Sequence, residues 1–207
     1  MKLNYLIQLP EAYAESDGAW PLLLFLHGMG ERGNDLEQVK LHGPPKMVAE
    51  GKRFSFVLVS PQCPENGWWA TDLQLRRLDA LLDEVVSRYR VDEDRTYVTG
   101  MSMGGFGTWA LAIRHPHRFA AIAPVCGGGN PGVAARIKHL PVWAFHGAKD
   151  ERVPLQKSQE MVDALRAVGG DVTFTVYPDA AHDSWTQTYS NPELYAWFLQ
   201  HRRRPIE

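Results

Sequence analysis

Cysteine is scarce in this sequence, and neither sign of charge dominates it. The 207 residues contain two cysteines, Cys63 and Cys126, which are too few for a disulfide framework. We therefore expect free thiols, as in proteins of a reducing compartment. The 22 Lys and Arg residues nearly cancel the 24 Asp and Glu residues, which leaves a formal net charge of −2. A chain without excess positive charge is poorly suited to bind nucleic acid or an anionic membrane surface.

Long apolar runs are also absent, although apolar residues make up 44% of the chain. No run approaches the ~18 residues of a membrane-spanning helix. The first ten residues, MKLNYLIQLP, lack the apolar stretch of roughly 7–15 residues that a signal peptide requires. We therefore expect a cytoplasmic protein without a membrane partner. The length suits one domain of roughly 100–200 residues, and no linker or repeat divides the chain, so we expect a single domain over residues 1–207.

Short apolar runs alternate with longer segments of helical periodicity. The pattern predicts strands at 3–9, 22–26, 56–60, 96–99, 120–125, 142–146 and 172–177, and helices at 71–89, 102–114, 155–168 and 192–200. Strands that alternate with helices indicate an α/β protein with a mostly parallel sheet covered on both faces. Ligands of such sheets bind beyond the carboxyl ends of the strands. Functional residues are therefore expected in the loops that follow the strands.

The most specific motif is a serine flanked by glycines between a predicted strand and a predicted helix. Gly100-Met101-Ser102-Met103-Gly104 has the form G-x-S-x-G. In this context the serine occupies a sharp, strained turn that exposes its hydroxyl group. The main-chain N–H of Met103, at the start of the helix, can donate to an oxyanion. We interpret Ser102 as a nucleophile, with a glycine-rich turn that has no chemical role as the alternative.

A nucleophilic serine needs a base, and the order of residues along the chain suggests which one. In strand–turn–helix hydrolases the order is serine, acid, histidine. Asp150 follows the sixth predicted strand and His182 follows the seventh, so both should lie at the same sheet edge as Ser102. We therefore predict Asp150 as the acid and His182 as the base. Asp179 and Asp183 are rival candidates for the acid.

A glycine-rich loop, HGMGERG at 27–33, follows the second predicted strand. Its Met29 N–H is the candidate for a second oxyanion donor. No G-x-x-x-x-G-K-[ST] string is present, so a phosphate-binding loop is disfavoured. Glu31 and Arg32 can contact substrate or order this loop, and we favour the ordering role. His115 and His117 flank a proline without a third ligand at suitable spacing, so we expect no metal.

Three tryptophans lie on loops at the predicted functional edge: Trp68, Trp69 and Trp185. Such residues either pack their loops onto the body of the protein or line a substrate pocket. For Trp69 and Trp185 both readings are open, and we assign them to the pocket. Trp185 is three residues after His182, which places it within reach of a bound acyl or alcohol group.

Several segments taken together resemble the α/β-hydrolase fold: LFLHGMGERGNDL, SPQCPENGWW, YVTGMSMGGFGTW, PVWAFHGAKDERVP and AAHDSWTQTYSNPELYAWFLQ. The resemblance runs from about Leu3 to Phe198. It is strongest to the compact carboxylesterase, dienelactone-hydrolase-like and "predicted peptidase" group, which is related to feruloyl-esterase-type and polyhydroxybutyrate-depolymerase-like enzymes. By this resemblance Ser102 is the nucleophile, His182 the general base and Asp150 the acid that orients it, with Met29 and Met103 forming the oxyanion hole.

The sequence departs from larger hydrolases in having no cap domain. Only 16 residues, 126–141, separate the fifth and sixth predicted strands, so the resemblance implies an open site without a lid. We predict a serine carboxylesterase that needs no cofactor and hydrolyses small soluble esters with short acyl or aryl groups through an acyl-enzyme. A feruloyl-type esterase or a peptidase or amidase is the alternative. A non-catalytic binding protein is disfavoured because all three triad positions are filled, and the oligomeric state is left open.

Overall fold

A seven-stranded sheet forms the centre of the computed structural model, which describes residues 2–203. The strands are β1 (Tyr5–Gln8), β2 (Trp20–Leu26), β3 (Val57–Pro61), β4 (Val91–Met101), β5 (Ala121–Val125), β6 (Val142–Gly147) and β7 (Val172–Tyr177). Their order across the sheet is β1-β3-β2-β4-β5-β6-β7. Strand β1 is antiparallel to β3, and every other neighbouring pair among the described strands is parallel. The prediction of a mostly parallel sheet is therefore confirmed.

Six α-helices and four short 3-10 helices lie between or after the described strands. The α-helices are α1 (Gly43–Ala49), α2 (Asp72–Arg88), α3 (Met103–Arg114), α4 (Gln156–Ala167), α5 (Trp185–Ser190) and α6 (Pro192–Leu199). The 3-10 helices are Glu11–Glu15, Met29–Glu31, Leu36–Leu41 and Pro131–Ile137. Helix α6 begins as its sequence predicts, because the Asn191 side chain accepts a hydrogen bond from the N–H of Glu193 and Pro192 occupies the first helical position.

Strand β2 shows how the sheet is covered on both faces. Alternate residues of a strand point to opposite faces. Leu22, Leu24 and Leu26 belong to the apolar cluster that contains side chains of α2, α3 and α4. Leu23 and Phe25 belong to a second cluster that contains side chains of α5 and α6. All five residues are completely buried, which explains why this strand is an unbroken apolar run in the sequence.

Strand β4 begins at Val91, five residues before the apolar run that predicts it. Its first five residues, VDEDR, are half-buried or exposed, so their side chains carry no apolar pattern. Trp20 of β2 pairs with Val91, and the register then shifts before Leu22 pairs with Thr96. Main-chain pairing across this irregularity extends the strand, and pairing of that kind leaves no trace in hydrophobicity.

Two short helices, α1 and α5, are not predicted by the sequence pattern. They span seven and six residues, which is too short for a helical period to stand out. Helix α1 also begins with Gly43-Pro44-Pro45, a run typical of a loop, although proline is well tolerated in the first turn of a helix. Helix α5 matters for the site because Trp185 is its first residue.

No cap domain separates β5 from β6 in the described chain, as expected. The connection consists of loop and the 3-10 helix Pro131–Ile137. Cys63 and Cys126 are both buried free thiols, which confirms the expectation that the two cysteines do not form a disulfide. Over residues 2–203, no helix combines the length and the apolar character that crossing a bilayer requires.

Candidate active site

Ser102 occupies the turn between β4 and α3. Its backbone has φ 53° and ψ −116°, in the left-handed half of conformational space that non-glycine residues rarely adopt. The Ser102 N–H donates to the carbonyl of Val125 at 3.0 Å, and its carbonyl accepts from the N–H of Phe106 at 3.1 Å. These main-chain bonds hold a strained turn in place, as the strand–serine–helix motif predicts.

The glycines on either side of Ser102 allow this turn to pack against β2. A Cβ atom on Gly104 would lie 1.9 Å from the carbonyl oxygen of Leu26. A Cβ atom on Gly100 would lie 2.5 Å from the carbonyl oxygen of Gly104. Both neighbours are main-chain atoms, which cannot move aside as a flexible side chain can. The glycine spacing of the motif is therefore a requirement of packing.

Replacing Gly104 by alanine is expected to lower the free energy of unfolding by about 3 kcal/mol or more, because the new methyl group must push α3 away from β2. Gly30→Ala is the matched control, since no heavy atom lies within 4 Å of a Cβ atom built there. Urea denaturation of both variants measures the difference. Equal unfolding free energies for the two variants would contradict this account of the turn.

The structure brings Ser102, His182 and Asp150 into one hydrogen-bonded line. His182 Nε2 lies 3.0 Å from Ser102 Oγ, and His182 Nδ1 lies 2.8 Å from Asp150 Oδ2. An ionised carboxylate only accepts, so the hydrogen of the neutral imidazole is on Nδ1 and the lone pair on Nε2 faces the serine hydroxyl. This arrangement allows His182 to remove the hydroxyl proton.

The two rival acids, Asp179 and Asp183, bind other partners. Asp179 Oδ1 accepts from Lys149 Nζ at 2.7 Å at an exposed position. Asp183 accepts from the N–H and hydroxyl of Thr186, at 3.1 and 3.0 Å, at the start of α5. Asp150 is therefore the acid whose placement suits His182.

Asp150 is buried and its carboxylate is held by several donors. Burial alone would raise the pKa of Asp150, but hydrogen bonds from His182, Val153 and Arg152 outweigh it and hold the pKa below its ordinary value. The main-chain N–H groups of Arg152 and Val153 each donate to Oδ1 at 2.9 Å. The carboxylate is thus ionised at neutral pH and can stabilise a positive charge that develops on His182.

The two candidate oxyanion donors are each the first residue of a helix. Met29 begins the 3-10 helix after β2, and Met103 begins α3. The N–H groups in the first turn of a helix have no acceptor within that helix, so both are available to a developing oxyanion. Arg32 supports the loop, because its Nε donates to the carbonyl of Met29 at 3.0 Å and its Nη1 to the carbonyl of Gly67 at 3.1 Å.

His27 and Glu31 are buried within the same loop. His27 Nδ1 donates to the carbonyl of Gly28 at 2.5 Å, and its Nε2 accepts from the N–H of Cys63 at 2.9 Å. Burial lowers the pKa of His27 to about 4, so the ring is neutral. The Glu31 carboxylate lies 3.8 Å from both His27 and His42, and burial raises its pKa. These contacts fit the loop-ordering role that the sequence suggests for Glu31.

Trp69 does not line the site, so its assignment to the substrate pocket is wrong. The side chain is completely buried. Its indole N–H donates to the carbonyl of His27 at 3.1 Å, and its ring packs against the His27 ring at 5.2 Å between centroids. Trp69 therefore fastens the loop after β3 to the loop after β2. Its neighbour Trp68 is 37% exposed and packs against Phe106 of α3.

Trp185 lies beside His182, the candidate base. Its ring is perpendicular to the His182 ring, with 5.2 Å between centroids. Its ring also lies 5.5 Å from the ring of His42, a partly exposed residue that the sequence pattern does not single out. His42 precedes α1 and is far in sequence from His182 and Trp185, so only the folded chain brings it here. Trp185 and His42 thus border the site next to the base.

The thiol of Cys126 contacts the main chain of Ser102. Cys126 follows β5 with φ 40°, and its Sγ accepts from the N–H of Ser102 at 3.3 Å. Donor atoms of Cys126, Asp150 and His182 lie within 4.8 Å of one another, a grouping that can hold a metal ion in some proteins. Burial raises the pKa of Cys126 to about 12, which disfavours the thiolate a metal needs. We therefore assign Asp150 and His182 to the hydrogen-bonded line with Ser102.

Comparison with known proteins identifies a family whose sequences match this chain. The family model described as "Dienelactone hydrolase family" matches residues 63–194. A solved structure of a thermostable esterase superimposes with a TM-score of 0.85 at 33% identity, over 96% of this chain and 59% of that chain. This likeness confirms the α/β-hydrolase fold with its mostly parallel sheet.

Two relatives are longer than this chain. The "Bifunctional acetylxylan esterase/xylanase XynS20E" of Neocallimastix patriciarum is 28% identical over 86% of this chain. The "Probable feruloyl esterase C" of Aspergillus terreus is 26% identical over 77% of this chain. The matched segments make up 26% and 59% of those two proteins.

Proposed function

We propose that this chain, which belongs to the dienelactone hydrolase family, is a serine carboxylesterase that hydrolyses small carboxylic esters. The observation that carries the proposal is the line from Ser102 Oγ through His182 to Asp150, with contacts of 3.0 and 2.8 Å. Relatives named as esterases support the same reaction class.

The first half of the reaction transfers the acyl group to the serine. Ser102 Oγ attacks the ester carbonyl carbon while His182 Nε2 takes the hydroxyl proton. The carbonyl oxygen becomes an oxyanion, and we assign its stabilisation to the N–H groups of Met29 and Met103, each the first residue of a helix. Asp150 stabilises the protonated His182. The imidazolium then returns its proton to the alcohol oxygen, the C–O bond breaks, and an acyl-enzyme remains.

The second half releases the acid. A water molecule loses a proton to His182 as its oxygen attacks the acyl carbon, and a second oxyanion forms in the same place. Collapse of this intermediate breaks the bond to Ser102, and His182 returns the proton to Oγ. Incubation with p-nitrophenyl butyrate tests the proposal directly. We expect steady release of p-nitrophenolate, and a chain that merely binds esters would release none.

The substrate side of the proposal is a small ester with a short acyl or aryl group. The absence of a cap between β5 and β6 in the described chain supports an open site. Trp185 and His42 border His182 on one side, and Met29, on the loop after β2, is 54% exposed. The Trp185 ring beside the base can cover a short acyl chain but leaves a long one in water.

We expect activity on p-nitrophenyl esters to peak at acyl chains of roughly two to eight carbons. Each buried CH₂ group contributes about 0.8 kcal/mol, and carbons that extend past Trp185 gain nothing because they stay hydrated. A panel of esters of increasing acyl length measures this preference, with kinetics that saturate normally. Preference for emulsified long-chain triglycerides, with a jump in rate at the oil–water interface, would contradict the open site.

A feruloyl-type esterase is the second candidate function. The perpendicular Trp185 ring beside His182 offers an edge or face to an aromatic acyl group, and one relative is named a feruloyl esterase. Adding methyl ferulate to the ester panel separates the candidates. A kcat/KM for methyl ferulate at least equal to that for the best aliphatic ester would favour this reading, and turnover of a fluorogenic peptide panel would favour a peptidase.

The proposal extends to the domain organisation, the cellular location and the binding partner of the chain. We propose a single domain over residues 1–207, supported by one continuous sheet that includes strands from β1 to β7. We propose a cytoplasmic location, supported by the two buried free thiols, which suit a reducing compartment. The proposed partner is the small ester itself, without a cofactor.

A further inference from the structure

A second histidine, His146, contacts the carboxylate of the proposed catalytic acid. His146 lies in β6, four positions before Asp150, and is completely buried. Its Nε2 lies 3.2 Å from Asp150 Oδ2, the same oxygen that His182 Nδ1 contacts at 2.8 Å. The reaction steps above use His182 alone, so the place of His146 needs an explanation.

The His146 ring is held on both sides. Its Nδ1 lies 2.7 Å from the hydroxyl of Ser158 in α4, and the single hydrogen of that hydroxyl can be donated either to Nδ1 or to the carbonyl of Gly127, which is also 2.7 Å away. Its Nε2 lies 2.9 Å from the carbonyl of Val153. The Val153 carbonyl and the Asp150 carboxylate can only accept, whereas the Ser158 hydroxyl can rotate to donate to Nδ1, so the tautomer that suits a neutral ring has its hydrogen on Nε2. Asp150 Oδ2 lies 3.2 Å from the same nitrogen, so it is the second acceptor near this hydrogen.

The donors around Asp150 are arranged in two pairs. Oδ1 accepts from the main-chain N–H groups of Arg152 and Val153. Oδ2 has His182 on one side and His146 on the other. The carboxylate thus accepts three hydrogen bonds, and a carboxylate can accept about four, so an acceptor position remains for the N–H of His146 at 3.2 Å. Among these four donors, His146 is the one side chain that takes no part in proton transfer.

We propose that His146 is a positioning residue that fixes Asp150 Oδ2 toward His182 and carries part of the carboxylate's negative charge. This inference rests on the proposed esterase function. A donor to a carboxylate stabilises its charge and thereby limits how strongly the carboxylate stabilises a protonated neighbour. Removing the His146 donor should strengthen the hold of Asp150 on the protonated form of His182. The active, unprotonated base would then appear only at higher pH.

Two other titratable groups face this pair. His182, after β7, is the base itself, and Cys126, after β5, has its sulfur close to Asp150 and His182. Burial raises the pKa of Cys126 to about 12, so the thiol stays neutral across the working range. Burial also lowers the pKa of His146, which keeps a single hydrogen on the ring at neutral pH. The acid limb of the activity profile therefore reports on His182 and its contact with Asp150.

Two amide substitutions separate positioning from packing. In His146→Gln the side-chain NH₂ reaches the place of Nε2, so it can still donate to Asp150 and Val153. In His146→Asn the shorter amide lies near the place of Nδ1, where it can contact Ser158 but cannot reach Asp150. We measure kcat/KM as a function of pH for wild type and both variants, with Tm as the record of stability.

For His146→Asn we expect the acid limb to move up by about 0.5–1 pH unit and the plateau of kcat/KM to fall about tenfold. His146→Gln should return both values toward wild type. An acid limb that stays in place in His146→Asn while Tm falls would overturn the proposal and leave a packing role. Equal shifts in the two variants would overturn it as well, because the position of the donor would then be irrelevant.

The wild-type protein provides a test that does not depend on either variant folding. Long-range ¹H–¹⁵N spectra of histidine-labelled protein identify which ring nitrogen carries the hydrogen, and we expect Nε2–H for His146. An Nδ1–H tautomer would overturn the proposal. Ser102→Ala, measured in the same ester assay, keeps the two proposals distinguishable. If that variant stays active, the esterase proposal fails; if it is inactive and the His146 variants keep the wild-type acid limb, the positioning role alone fails.

Discussion

Replacing Ser102 by alanine is expected to lower kcat for p-nitrophenyl butyrate by about six orders of magnitude. Alanine lacks the oxygen that lies 3.0 Å from His182 Nε2, so neither the attack on the ester nor the acyl-enzyme is possible. The main-chain bonds of residue 102 to Val125 and Phe106 do not involve the hydroxyl. The variant should therefore fold, and its circular dichroism melting curve should match that of wild type.

The control for this variant is Ser87→Ala on the exposed side of α2, where the hydroxyl merely donates to the carbonyl of Glu84. We expect it to keep wild-type kcat. A fluorophosphonate should add its mass to the peptide that contains Ser102 and to no other. Retention of more than about a tenth of the wild-type activity in Ser102→Ala would show that the nucleophile lies elsewhere.

Replacing Asp150 by asparagine is expected to lower kcat by about 10⁴. The N–H groups of Arg152 and Val153 both donate to Oδ1, so the amide oxygen of asparagine will remain on that side. The NH₂ group then takes the place of Oδ2 and faces Nδ1 of His182. Two donors cannot pair, so the imidazole must shift its hydrogen to Nε2, where it blocks removal of the Ser102 proton. The loss therefore comes from the wrong tautomer.

Asp179→Asn and Asp183→Asn are the matched controls, and we expect kcat close to wild type for both. Asp179 pairs with Lys149 at an exposed position, and Asp183 caps the start of α5 through Thr186. Steady-state kinetics on p-nitrophenyl butyrate compares the three variants under one set of conditions. Near-normal activity in Asp150→Asn together with a large loss in Asp179→Asn would transfer the role of acid to the loop before His182.

Chain order carries most of what the sequence predicts about the site. Ser102, Asp150 and His182 each follow an apolar run, and parallel strands place their carboxyl ends at one edge, so topology alone suggests that they meet. Local pattern also predicts the completely buried run 22–26 of strand β2, because both faces of the strand are covered there. Both predictions depend on apolar runs and on the residues that follow them, and these can be read directly from the sequence.

The tryptophans show where such reasoning stops. Trp68 and Trp69 are adjacent in one loop, yet Trp69 is buried against His27 and Trp68 is partly exposed. Which of two neighbouring indoles turns inward depends on the carbonyl of His27, a partner from another loop. His42 and His146 escape notice for the same reason. Each becomes meaningful only through a tertiary contact, with Trp185 in the first case and Asp150 in the second.

The burial of both cysteines has a practical consequence for chemical labelling. Cys63 and Cys126 are the two cysteines of the sequence, and burial raises the pKa of each thiol to about 12. Maleimides react with accessible thiolates, so the folded protein should resist them. A cysteine introduced at the exposed Met29 side chain would then be the single reactive position. A fluorophore attached there would sit on the loop that carries a proposed oxyanion donor and would report its movement during turnover.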